Sequence, residues 1–181
     1  MKKSILILAL AFTTGAVFAQ KKTTTSAIIN FDATTSIDAL PKAENTTVIA
    51  SLDTKSGAVA FEASIKNFSF SNPKIQEHFN SGGWMDSDKF PVSSFKGTIS
   101  NLSEVDFSKD GSYTAKVTGD LTLHGVTKKV NTTATIVVSG KKVSSSSDFS
   151  IKLEDYQVNG GAIAAGKVAK EPKISVVAEF K

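Results

Sequence analysis

The side chains able to carry out acid–base or metal chemistry centre on two histidines. His78 is followed closely by Asp86 and Asp88, a spacing compatible with an acid–base dyad or with a tether between a short helix and the next loop. His124 stands directly before Gly125, where an imidazole can act as a metal ligand or general base, or can hydrogen-bond to turn backbone. The structural role is the simpler interpretation in both cases. We therefore predict no catalytic residue.

Composition excludes most other chemistry. The 181-residue chain contains no cysteine and no arginine. Thiolate catalysis, disulfides, iron–sulfur clusters and ordinary zinc sites are therefore excluded, and the guanidinium fork that grips phosphates and guanines is missing. The 21 lysines are scattered along the chain rather than clustered, which is typical of solvated faces. We predict no cofactor, no metal ion and no nucleic-acid partner.

The elements that must position any site are mostly β-strands. Apolar and polar side chains alternate, which puts successive residues on opposite faces of a strand. The alternation is clearest over residues 113–123, and it resumes after a turn at His124-Gly125. The pattern predicts eight strands, at residues 27–33, 45–52, 57–65, 92–102, 113–123, 126–139, 141–153 and 173–181.

Two short helices interrupt the strands. Asn72 is a suitable N-cap, Pro73 suits the first helical position, and Ile75 and Phe79 share one face of the turn that follows. A weaker helical pattern covers residues 162–170, because glycines precede and interrupt it. Both helices are expected to cover an end of the sheet.

The resulting fold class is all-β. Eight antiparallel strands with one apolar face can form a sandwich or a closed barrel, and closure removes the exposed edges. We predict an eight-stranded antiparallel up-and-down barrel with one or two short helices. A barrel of this size is either filled by side chains or holds one small ligand, and the predicted inner face mixes large and small residues. The sequence leaves these two possibilities open.

The inward side chains are the candidate ligand-binding residues, because methyl and aromatic groups favour an apolar ligand. Phe68, Phe70 and Trp84 are expected at the barrel mouth, with Trp84 acting as a movable flap or as a hydrophobic plug. The predicted set is Ile29, Phe31, Val59, Phe61, Ile65, Phe68, Phe70, Trp84, Phe95, Ile99, Val117, Leu121, Ile136, Val138, Phe149, Ile151 and Val176.

The first nineteen residues are typical of a secretory signal peptide. Two lysines near the start, an apolar stretch over residues 5–12 and a small-residue site at 17–19 fit that pattern, and the stretch is short for a membrane anchor. We expect cleavage near Ala19, a mature domain over residues 20–181, and a periplasmic or secreted location. Lysines on the polar strand faces, such as Lys116 and Lys129, argue against integration into a membrane.

Several segments together resemble the YceI-like family of polyisoprenoid-binding periplasmic proteins. The resemblance covers residues 27–181 in family order and implies a lipocalin-like barrel that is exported and holds a long isoprenoid chain in an apolar channel, without a shared catalytic residue. The segments that carry it are Gly119-Asp120-Leu121-Thr122-Leu123-His124-Gly125-Val126-Thr127-Lys128-Lys129-Val130, Gln76-Glu77-His78-Phe79-Asn80, Asp86-Ser87-Asp88-Lys89-Phe90-Pro91, Phe95-Lys96-Gly97, Leu52-Asp53-Thr54-Lys55-Ser56-Gly57 and Leu153-Glu154-Asp155-Tyr156.

The expected function is that of an exported, non-enzymatic protein that sequesters or carries an isoprenoid-type lipid, either a polyprenyl chain or an isoprenoid quinone. A monomer or a homodimer is expected. One alternative is a secreted structural or stress-response envelope module with a filled barrel. The other is a hydrolase or isomerase that depends on His78 or His124.

Overall fold

The computed structural model describes residues 21–181 and places them in a closed antiparallel β-barrel. Eight long strands form the barrel, and a ninth strand of two residues adds to one end of its second strand, so the predicted all-β barrel is confirmed. The strands are β1 (Lys21–Asp32), β2 (Lys42–Asp53), β3 (Ala58–Ser64), the short β4 (Ser69–Phe70), β5 (Val92–Ile99), β6 (Gly111–Leu123), β7 (Val126–Ser139), β8 (Lys142–Ser150) and β9 (Lys173–Phe180). The predicted signal peptide, residues 1–19, lies outside the described residues.

Closure of the barrel depends on the first strand. β1 pairs with β2 along one side and with β9 along the other, both antiparallel. Phe31 is thus opposite Ala43 on β2 and Ile174 on β9. Every long strand has two neighbours, so the long strands present no open sheet edge of the kind that promotes aggregation.

The β6–β7 hairpin forms at the predicted turn. His124 and Gly125 have φ angles of 51° and 75°, and two successive positive φ values are typical of the tight turns that match strand twist. A Cβ atom at Gly125 would lie 2.5 Å from the ring of Phe90, so close packing also requires glycine there. Residues Leu123 and Val126 pair across the turn.

The helix α1 (Pro73–Asn80) begins as predicted. Asn72 accepts a hydrogen bond from the backbone N–H of Lys74 at 2.9 Å, and Pro73 occupies the first turn. The second helix, α2 (Gly161–Ala164), is much shorter than the predicted 162–170, because Gly166 turns the chain with a φ angle of 72°. No helix within residues 21–181 has the length and hydropathy needed to cross a bilayer.

Several predicted strand boundaries are wrong. β1 begins at residue 21 rather than 27, because two register shifts between Thr24 and Ile29 interrupt the alternation that reveals a strand. The predicted strands 57–65, 92–102 and 141–153 end early, since the chain leaves the sheet and forms 3-10 turns. These turns are Ile65–Asn67, Leu102–Glu104 and Leu153–Tyr156.

Candidate ligand cavity

The barrel encloses a cavity of about 160 Å³. All eight long strands contribute to its wall, and so do helix α1, the loop after it and two of the 3-10 turns. The wall contains no lysine, aspartate, glutamate or histidine among the residues that the structure describes. Within residues 21–181, its polar side chains are the hydroxyls of Ser93, Ser94, Thr132, Ser145 and Ser147.

The size of the cavity sets what it can hold without rearrangement. An engineered apolar cavity of about 150 Å³ binds benzene and stays free of water. The barrel cavity is similar in volume, so it can take a short apolar segment of a ligand. A longer chain requires wall side chains to move.

All but three of the predicted binding residues lie in the cavity wall. Strand alternation placed most of them, because residues two apart on one strand point to the same side. The predicted residues found in the wall are Ile29, Phe31, Val59, Phe61, Ile65, Phe68, Phe95, Ile99, Val117, Leu121, Ile136, Phe149, Ile151 and Val176.

Val138, Phe70 and Trp84 are the three that do not line the cavity. Val138 is on the inner face but is only 2 % exposed, next to the β7–β8 turn, where it pairs with Val143 and is packed rather than open. Phe70 and Trp84 are buried among other rings behind the wall.

Five rings form a cluster that we call the aromatic cap: Phe31, Phe68, Phe70, Phe79 and Trp84. Phe79 of helix α1 is its centre, with ring centroids 4.9 Å from Phe70, 5.3 Å from Trp84, 5.8 Å from Phe68 and 5.9 Å from Phe31. Tilted and edge-to-face arrangements at these distances are favourable beyond simple burial. Trp84 is 6 % exposed, which is the position of a plug rather than of a flap.

Two glycines make room for one wall ring. Gly97 on β5 is paired with Gly119 on β6, and the ring of Phe95 lies over both. A Cβ atom on Gly119 would come within 2.5 Å of Phe95 Cζ, and one on Gly97 would come within 2.8 Å of the same atom. A Cβ atom closer than 3.0 Å to a neighbouring atom would force that neighbour to shift, so both positions require glycine.

The wall also contains residues that the sequence analysis did not assign to the site. Strand alternation could have found those in strands other than Ser94, since they share a face with predicted residues, but Phe79, Met85 and Leu153 come from segments without period-two alternation. The additional wall residues are Leu52, Ala63, Phe79, Met85, Ser93, Ser94, Leu123, Val130, Thr132, Ala134, Ser145, Ser147, Leu153, Ile174 and Phe180.

His124 has a structural environment. The carbonyl oxygen of Tyr156 lies 3.2 Å from its Nδ1, and since a carbonyl can only accept, the contact places a proton on Nδ1. The imidazole also packs against Phe90, with ring centroids 4.5 Å apart. The imidazole therefore holds the β6–β7 turn against the Leu153–Tyr156 turn. Within the second of these turns, burial, with a smaller contribution from Asp155, raises the pKa of Tyr156.

His78 forms neither the predicted dyad nor the predicted tether. Its side chain is exposed and makes no hydrogen bond or ion pair within residues 21–181, while Asp88 pairs with Lys66 at 2.6 Å. That pairing lowers the pKa of Asp88 through the Lys66 hydrogen bond and charge. In the same part of the chain, no group of three or more His, Cys, Asp or Glu side chains is placed to hold a metal ion.

Comparison with known proteins agrees with this architecture. The model of the YceI-like domain matches residues 10–180. The chain belongs to the YceI-like family. A UPF0312 protein of Pseudomonas fluorescens is 42% identical over 65 residues, 36% of this YceI-like chain and 32% of the relative. A second UPF0312 protein, from Pseudomonas putida, is 33% identical over 90 residues, 46% of this chain and 43% of the relative. Each match thus spans less than half of the curated relative.

Solved structures share the YceI-like barrel at low sequence identity. A polyisoprenoid binding domain from Saccharophagus degradans, implicated in plant cell wall breakdown, aligns with a TM-score of 0.75 and 11% identity, over 90% of this chain and 98% of that one. BcnA of Burkholderia cenocepacia aligns with a TM-score of 0.57 and 15% identity, over 90% and 97%. The YCEI protein of Campylobacter jejuni aligns with a TM-score of 0.53 and 21% identity, over 75% and 81%. These similarities establish a common fold.

Proposed function

We propose that this YceI-like protein is an exported, non-enzymatic binding protein that sequesters or carries an isoprenoid-type lipid, a polyprenyl chain or an isoprenoid quinone, in the barrel cavity. The observation that carries the proposal is the uncharged, apolar cavity wall. Each CH₂ group removed from water stabilises a complex by about 0.8 kcal/mol before ordering costs. The polyisoprenoid binding domain of S. degradans, which has the same fold, supports this choice of ligand.

Side chains that project into the cavity, rather than the strands themselves, limit the length of the ligand that fits. Phe61 and Phe68 project into the cavity from the strand wall and from the segment before β4, and Phe79 and Met85 close it from α1 and the loop after it. Side chains and loops can rearrange without breaking strand pairing. We therefore expect a long chain to displace these side chains and the sheet to remain intact.

Under the proposal, the protein has no catalytic role and is exported from the cytoplasm. His124 is engaged by Phe90 and the Tyr156 carbonyl, and His78 faces solvent without an acid partner, which supports a binding role over a histidine-dependent hydrolase or isomerase. The signal-peptide pattern of residues 1–19 supports a periplasmic or secreted location. A cavity in the barrel favours binding over the filled structural module.

The test is native mass spectrometry of the mature protein, from Gln20, purified from the exported fraction of its own host, followed by organic extraction and lipid identification. Ala134 lies in the cavity wall, whereas Thr135 faces outward on the same strand. We expect a stoichiometric isoprenoid on the unmodified protein and on Thr135→Leu, and a strongly reduced load on Ala134→Leu, which fills the cavity.

Two outcomes would overturn the proposal. One is a protein that is recovered empty and does not bind added farnesol, geranylgeraniol or an isoprenoid quinone. The other is an equal lipid load on Ala134→Leu and Thr135→Leu, which would place the ligand outside the cavity. Circular dichroism and thermal unfolding of both variants establish that they are folded.

A further inference from the structure

The polar groups of the cavity wall are unevenly distributed. Three of the five hydroxyls lie on two neighbouring strands, Thr132 on β7 and Ser145 and Ser147 on β8. Ser147 pairs with Ala134 and Ser145 with Ile136, so these hydroxyls stand among apolar wall residues. We call these three side chains the hydroxyl cluster. It lies about halfway along the barrel, because Thr132 is the seventh residue of the 14-residue strand β7.

Hydrogen bonds within the hydroxyl cluster leave capacity for another group. Ser147 Oγ donates to the carbonyl oxygen of Thr133 at 2.9 Å and lies 3.0 Å from Thr132 Oγ1, which itself donates to the same carbonyl at 3.4 Å. The Ser145 hydroxyl makes no hydrogen bond or other polar contact within residues 21–181. A hydroxyl can donate once and accept twice, so Ser145 can donate to a ligand and accept from it. A polar group buried beside it is stabilised only if it hydrogen-bonds there.

The chemistry of the cavity restricts the charge of that group. No cationic side chain of the described residues 21–181 contributes to the wall, so a phosphate drawn inside would lose its hydration without a counter-charge from them. Burial of an unpaired ion costs several kcal/mol even after relaxation of the protein, whereas an alcohol or a carbonyl loses far less and regains hydrogen bonds. The wall thus disfavours an anionic head group at this depth.

We propose that the hydroxyl cluster Thr132, Ser145 and Ser147 is the subsite for the polar end of the ligand, and that this end is an uncharged hydrogen-bonding group, an alcohol or a carbonyl, rather than a phosphate. The inference rests on the proposed function, because it assigns an orientation and a head-group class to a lipid in the same cavity. The chain then extends from mid-barrel toward the aromatic cap, where the wall is formed by rings.

Three ligands of equal carbon number test it: farnesol, farnesyl phosphate and the hydrocarbon farnesene. Binding is measured by titration calorimetry or by fluorescence of Trp84, the only tryptophan. The variants are Ser145→Ala and Thr132→Val, which remove hydroxyls with little change in volume. The matched control is Ser146→Ala, an exposed neighbour that faces outward on β8.

We expect farnesol to bind at least tenfold more tightly than farnesyl phosphate. Ser145→Ala and Thr132→Val should each weaken farnesol binding about three- to tenfold, the value of a neutral hydrogen bond, while farnesene binding stays within twofold. Ser146→Ala should change neither. Equal affinity for farnesol and its phosphate, or a parallel loss of farnesol and farnesene in the variants, would overturn the subsite while leaving lipid binding intact. Failure of all three ligands to bind the unmodified protein would overturn the proposed function as well.

Discussion

At the level of single residues, the shape of the cavity depends on two glycines as much as on the side chains that line it. Gly97 and Gly119 face each other across β5 and β6, and the Phe95 ring covers them. The ring therefore lies against the sheet rather than across the cavity. The lack of a Cβ atom at Gly97 and Gly119 thus determines how much of the barrel interior the Phe95 ring leaves open.

Gly119→Ala should both destabilise the protein and weaken ligand binding. The new methyl would lie 2.5 Å from Phe95 Cζ and from the Lys96 carbonyl oxygen, and such overpacking costs about 1–3 kcal/mol. Reduced freedom of the unfolded chain offsets only about 0.4–1 kcal/mol of this. Urea unfolding and farnesol titration measure the two effects.

The matched control for that substitution is Gly161→Ala. A Cβ atom at Gly161 would meet nothing within 4 Å, so alanine there should leave the stability unchanged or raise it by up to about 1 kcal/mol. Equal stability changes in the two variants would show that contact with Phe95 does not matter.

Tyr156 makes stability sensitive to alkaline pH. Burial, followed by the charge of Asp155, raises its pKa above the ordinary value of 10.0. The folded state holds the phenol proton more tightly than the unfolded state, so this contribution is complete below pH 10 and is lost as the pH rises through the folded-state pKa. Tyr156→Phe should therefore lose less stability than the unmodified protein above pH 10. Thermal unfolding at pH 8 to 11 measures the difference, and lysine titration cancels because both proteins share it. Parallel pH profiles for the two proteins would contradict this assignment.

Among the elements, helix α1 carries the centre of the aromatic cap. Phe79 projects from its last turn and contacts the other four rings. Isolated helices of this length are unstable in water, so the eight residues of α1 depend on this packing and on the cap at Asn72. The part of the cavity wall formed by the aromatic cap therefore depends on the stability of helix α1.

Asn72→Ala should destabilise the protein by about 1 kcal/mol, since it removes the side-chain acceptor of the Lys74 N–H. Asn72→Ser retains a capping oxygen and should lose less than half as much. Urea unfolding gives the stabilities, and hydrogen exchange at the backbone of α1 locates the change. An equal loss in both variants would mean that the cap hydrogen bond is not the cause.

The elements also show how far the sequence predicts the site. Alternation placed Val117, Leu121 and Ile136 in the wall, because an inward face is a property of a strand alone. The positions of Phe79 and Met85 depend on how a helix and a loop pack across the barrel end, which no local pattern encodes. From the sequence, Ser145 and Ser147 of β8 can be identified only as small inward-facing residues. The distance between Thr132 and Ser147 in the structure is what reveals a cluster of hydroxyls.

For the whole molecule, ring movement should control access to the cavity. Phe61 projects into the cavity and lies edge-to-face with Phe180 at 6.5 Å. Phe61→Ala should destabilise the barrel by about 3 kcal/mol and speed the association of geranylgeraniol more than that of the shorter geraniol. Stopped-flow fluorescence measures both rates. The exposed Val177→Ala is the control, and equal acceleration of both ligands would contradict a length-dependent gate.

The pairing of β1 with β9 has a consequence for folding. Phe31 on β1 pairs with Ile174 on β9, far along the chain, and contacts of such sequence separation slow folding. All eight long strands contribute to the cavity wall, so the enclosed volume exists only when β1 and β9 are paired. A ligand therefore has no site to enter before the last strand has docked. Under the proposed function, the lipid then enters a barrel that is already closed.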